Sequence, residues 1–113
     1  MLTLLQARPA LILAILQYEH RLQGQVEQFK AIVELADGSR LHINEVWLSS
    51  LLRKYAYYWL TPTGVLVQGW DNAPHHLHIV TYPHHSHTPG QVHASQIHTL
   101  TDALDELTRQ LKL

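Results

Sequence analysis

Residues Phe29 to Asn44 read FKAIVELADGSRLHIN. Phe29, Ala31, Val33 and Leu35 alternate with Gln28, Lys30, Ile32 and Glu34, so most of the apolar side chains fall on one face of an extended chain, whose successive residues point to opposite sides. Asp37-Gly38 follows, the strongest short hairpin signal, and Leu41 and Ile43 then resume the alternation against Arg40, His42 and Asn44. A hairpin with one apolar face predicts an antiparallel sheet that has to be covered on that side.

Downstream of the hairpin, Glu45 to Lys54 is ambiguous, because LSSLLRK suits a short helix while its flanks favour strand. Tyr55 to Leu60 is aromatic and strand-like, Thr61-Pro62-Thr63-Gly64 is a turn, and Val65 to Trp70 is the partner, which makes a second hairpin. It leads into the polar turn Asp71-Asn72-Ala73-Pro74. Leu77 to Tyr82 alternates as a further strand, Pro83 ends regular pairing or marks an edge, and Thr88-Pro89-Gly90 is another turn. Thr99 or Thr101 can cap a last helix in TLTDALDELTRQL, with Leu100, Leu104, Leu107 and Leu111 as its apolar stripe. Acidic residues early and Arg109 and Lys112 late suit the helix dipole.

Upstream, period-two patterning begins at Tyr18, and Met1 to Leu16 reads as helix, in one piece or broken before Pro9. A helix this apolar must be covered, by the domain's own sheet or, less simply, by a partner protein. The sum is one α+β domain over 1–113, an antiparallel sheet of about five strands with an N-terminal and a C-terminal helix.

Composition narrows the function. The 113 residues are 46 % hydrophobic and only 15 % charged, with a formal net charge of -1 and no cysteine. The chain is thus globular, has no overall basicity to drive nonspecific nucleic-acid binding, and excludes disulfides and thiolate metal sites. The apolar run Leu2 to Leu16 carries Arg8 and Pro9 and is shorter than the ~20 residues of a membrane span. Lacking a basic leader and a small-residue cleavage site, it predicts no secretory signal, and a cytoplasmic location is expected.

Chemistry concentrates between Gly69 and His87, GWDNAPHHLHIVTYPHHSH, where His75, His76, His78, His84, His85 and His87 are six of the ten histidines. Imidazole alone has an ordinary pKa near neutrality, ~6.5, so this segment gathers groups that accept a proton, donate one or ligate a metal. His85 and His87 share a face of an extended segment and can meet His76 or His78 in one cavity. If any metal binds, His76, His85 and His87 are its expected ligands. The spacing matches no standard zinc motif, so a metal-free site ranks first and no cofactor is expected.

The order of these parts resembles the TumE-type toxins of bacterial and archaeal type II toxin–antitoxin systems. The resemblance rests on ADGSRLHINEV at Ala36 to Val46, the strand Tyr55-Ala56-Tyr57-Tyr58-Trp59, WDNAPHH at Trp70 to His76, TYPHHSH at Thr81 to His87 and the leucine helix at the C terminus. WDNAPHH followed by PHHSH is the specific pairing; the hairpin and the terminal helix are generic. Where the family usually has tyrosine, lysine and a basic residue, this chain has Trp70, Ser86 and Gly69, which removes positive charge.

The resemblance implies a small toxin encoded beside a helix-turn-helix antitoxin and acting on RNA; a homodimer is left open by the sequence. RNA cleavage without a metal needs a base for the 2′-hydroxyl, an acid for the leaving oxygen and a cation for the phosphate. The expected acid and base come from His75, His76, His84, His85 and His87. Arg53 and Lys54 are the expected cations, and Tyr57, Trp70, Asp71 and Asn72 are candidate substrate contacts. Tyr55, Tyr58 and Trp59 offer further faces for base stacking. Beside each stands a plainer role: Asp71 and Asn72 shape a turn, the aromatic strand packs the core, and His42, His78, His93 and His98 sit on the sheet surface or satisfy local hydrogen bonds. Rival functions are a binding component of the module without turnover and a histidine-ligated metal-dependent hydrolase.

Overall fold

The computed structural model describes residues 1–113. Its elements are α1 (Leu2–Gln6), β1 (Ile12–Gln23), β2 (Val26–Leu35), β3 (Arg40–Leu48), β4 (Leu51–Leu60), β5 (Leu66–Asp71), β6 (His85–Thr88), β7 (Gln91–Ala94) and α2 (Leu100–Gln110). The strands form one antiparallel meander in chain order, β1-β2-β3-β4-β5-β6-β7. The predicted α+β class, the single compact sheet and both terminal helices are present, with seven strands where the sequence pattern suggested about five.

Alternation decides which face is buried. Ala31, Val33, Leu35, Leu41, Ile43, Tyr55, Tyr57, Trp59 and Trp70 join Leu100, Ala103, Leu104 and Leu107 of α2 and Leu5 of α1 in one core, so the helices cover the inner face. Thr99 caps α2 through a capping box with Asp102, satisfying backbone N–H groups that a helix start otherwise leaves unpaired. The opposite, outer face carries no helix.

Four stretches depart from the sequence pattern or resolve its ambiguity, for identifiable reasons. Helix formation stops at Gln6, and Ile12 to Leu16 belongs to β1, because the β-branched Ile12 and Ile15 pair with Leu35 and Val33 of β2. The ambiguous Glu45 to Lys54 is two strands joined at Ser49-Ser50, both with positive φ (49° and 67°), the primed hairpin geometry that Asn-Gly normally announces. Leu77 to Tyr82 is a chain of turns, since the edge of β5 is already taken by β6, with Asp71 opposite His85. The fourth is β6 and β7 themselves, which the pattern around Thr88-Pro89-Gly90 reported only as a turn.

Candidate functional site

Asp71 ends β5 on the outer face, and it is 5 % exposed. Four polar groups converge on its carboxylate. His85 Nε2 lies 2.8 Å from Oδ1 and Ala73 N 3.0 Å from the same oxygen; Tyr58 Oη lies 2.5 Å from Oδ2 and His87 Nε2 3.0 Å from it. Register makes this possible, because Asp71 pairs with His85, Gly69 with His87 and Tyr58 with Gly69, so all project from one side. Each donor among them satisfies part of a buried carboxylate that would be costly to leave unpaired.

Gly69 has a specific part in this. A Cβ there would collide with Cδ1 and Cε1 of Tyr58, whose ring lies across the glycine and so reaches Asp71 two residues on. Burial, then the hydrogen bond and the charge of Asp71, raise the Tyr58 pKa well above the usual phenol range, so the hydroxyl stays a donor.

The two histidines on β6 differ. His85 Nδ1–H donates to the carbonyl oxygen of Pro83, 2.9 Å away, and its Nε2 faces Asp71. His87 gives Nε2–H to Asp71 and leaves Nδ1 without a protein partner, and its side chain is 25 % exposed. His76 comes from the turn segment to stand edge-on to both, 4.8 Å from the His85 ring centroid and 5.9 Å from that of His87. One ring nitrogen from each of His76, His85 and His87 lies within 4.8 Å of the others. Desolvation, followed by the neighbouring imidazoles, lowers the His76 pKa.

Asp71 and Tyr58 also line an open groove of about 720 Å³ together with Arg53, Lys54, Asn72 and His75. Arg53 and Lys54 are exposed there and enter no ion pair. Asn72 is structural: its Oδ1 accepts from Tyr55 N and its Nδ2 donates to the Arg53 carbonyl, each at 3.0 Å, which ties the end of β5 to β4. Tyr82, 41 % exposed on the groove wall, offers an aromatic face there.

The remaining candidates lie apart. Tyr57 and Trp70 are 0 % and 1 % exposed in the helix-covered core, where alternation sends them, and present no face to a substrate. Tyr55 and Trp59 are buried there as well. His84 turns away from Asp71. The Ile97 carbonyl can only accept, so the Tyr55 hydroxyl donates to it (2.9 Å) and accepts from His84 Nδ1 (2.7 Å), while the His84 ring stacks on His98 with centroids 3.7 Å apart. His98 Nε2 is buried without a partner, unlike His93, which meets Thr88 Oγ1 at 2.9 Å.

Burial, followed by the neighbouring His98 and His85, lowers the His84 pKa, and burial with Arg40 lowers that of His42. An imidazole depressed in the fold is protonated first in the unfolded chain. It therefore destabilises the fold as pH drops from ~6.5 toward its folded value, and adds nothing further below that. Urea midpoints should fall on mild acidification, and less steeply for His84→Gln; equal slopes for the two chains would contradict this assignment.

A family model described as Toxin TumE matches residues 2–112, nearly the whole chain. The chain belongs to the TumE toxin family. A search of curated proteins and a search of solved structures each gave no match. Membership in TumE makes the chain the toxin component of a toxin–antitoxin module and implies a cognate antitoxin. No helix of this TumE member is long and apolar enough to cross a membrane.

Proposed function

We propose that this TumE toxin cleaves RNA where the Arg53–Lys54 groove meets the Asp71 cluster, by proton transfer between imidazoles and without a resident metal. One observation carries the reading: Asp71 and Tyr58 belong to the cationic groove and also hold His87 with Nδ1 open. A carboxylate that fixes the tautomer of an imidazole is the usual way a general base is oriented.

In this reading His87 Nδ1 takes the 2′-hydroxyl proton, the 2′-oxygen attacks the adjacent phosphorus, and the 5′-oxygen leaves with a proton from His75 on the groove wall. The phosphate oxygens meet Arg53 and Lys54, and an unstacked base lies on Tyr82. His85 holds Asp71, and His84 serves the fold. A helix-turn-helix antitoxin neutralises the toxin in the cytoplasm.

The test is incubation of the purified chain with total RNA in the presence of chelator. Fragments ending in 2′,3′-cyclic phosphate, with 5′-hydroxyl partners, are expected. Intact RNA beside a tight RNA or antitoxin complex would replace the nuclease with a binding component that has no turnover.

A further inference from the structure

We propose that His76, His85 and His87 form a site for one divalent transition-metal ion of the zinc, nickel and cobalt class, and that filling it stops proton transfer at His87. The donor set is three imidazole nitrogens and no thiolate, which suits borderline metals and not magnesium or calcium. The second half of the proposal rests on the nuclease reading; the binding half does not.

Three observations support the site. The ligand nitrogens already lie within 4.8 Å of one another, whereas a tetrahedral ion with bonds of ~2.0–2.1 Å needs them roughly 3.4 Å apart. That gap is small, and it can close from one side. His85 and His87 are fixed on β6, whereas the hydrogen bonds around His76 are local turn contacts such as Ile79 N to His76 O (3.1 Å) and Tyr82 N to Ile79 O (2.9 Å), with Ser95 N to Thr81 Oγ1 (2.9 Å) tying the far end of the segment.

The surroundings already supply what ligating imidazoles need behind them. His85 Nδ1–H is anchored on the Pro83 carbonyl, which leaves Nε2 as the atom for an ion, and the Asp71 carboxylate lies against both β6 imidazoles as the compensating charge. Partners of this kind set ring orientation and tautomer around metals generally. His87 cannot both coordinate an ion within this cluster and remain free to accept a substrate proton, so occupancy and metal-free cleavage exclude each other.

The experiment uses the full chain without a polyhistidine tag, titrated with cobalt(II) and read by its d–d absorption. Saturation at one ion per chain with tetrahedral intensity and micromolar or tighter affinity is expected. His76→Ala, on an exposed segment where the fold is not at stake, should weaken binding by more than the roughly 10–100-fold that loss of an outer partner costs, whereas His78→Ala should bind like the parent. No uptake at micromolar cobalt, or uptake unchanged in His76→Ala, overturns the site.

Cleavage of RNA is then followed in chelator and in saturating zinc. Suppression by zinc and recovery in chelator support the exclusion, and cleavage that requires zinc overturns it. If the chain cleaves nothing in either condition, the nuclease reading and the exclusion that rests on it both fail, while the cobalt spectrum still decides the site.

Discussion

Asp71→Ala is expected to lower folding stability by about 3–5 kcal/mol, the usual cost of removing one partner from a buried charged pair. The side chain is 7 % exposed and meets four polar groups, so its loss leaves His85 Nε2 and the Tyr58 hydroxyl facing an empty space that they cannot fill. The His85 ring, 2 % exposed, would lose the carboxylate that its Nε2 faces and is too buried for water to replace it. Domains of this size have total stabilities of roughly 5–15 kcal/mol, so the variant should show a large drop in its urea midpoint and stand near the limit of folding. A midpoint shift worth less than about 1 kcal/mol, the median for a surface pair, would mean that the carboxylate does not organise the outer face.

His87→Ala should spare the fold and remove the activity. Its ring is partly open to solvent and is only one of the four groups that meet Asp71, so Tyr58, Ala73 N and His85 remain around the carboxylate. Loss of a positioned general base typically costs about 10²–10⁴ in rate, and cleavage of a short RNA should fall by that much while thermal melting stays near the parent. Arg53→Ala serves as the contrast, because a groove cation should change the salt dependence of RNA binding by roughly one phosphate contact. Cleavage by His87→Ala at the parental rate would remove His87 from the reaction and move attention to His75.

The fold was legible where one period dominated. Phe29 to Asn44 and the leucines of α2 could be read directly, because burial on one side imposes alternation on a strand and a stripe on a helix. Legibility failed where an apolar run was short. Ile12 to Leu16 fits either period, and only pairing with β2 settles it. Ser49-Ser50 hid a turn because neither residue advertises a positive φ.

The site was half legible. Density of histidine marked the segment that supplies His76, His85 and His87 to the cluster, but the alternation assumed for Leu77 to Tyr82 does not exist, and His76 reaches its neighbours from a turn. The central position of Asp71 was hidden, since a carboxylate before Asn72-Ala73-Pro74 has the look of a turn-former. It does accept from Ala73 N, and that role accounts for one contact in four. Cross-strand register, which no single segment encodes, supplies the other three.

The tyrosine lying over Gly69 has a consequence for how this protein can vary. Positions 58 and 69 are one decision taken by two codons: any bulk added at the second evicts the phenol from its diagonal, and Asp71 must then find another donor or admit water. A relative with a basic side chain at 69 therefore has to clamp its carboxylate by another route, and the two solutions should not interchange one residue at a time.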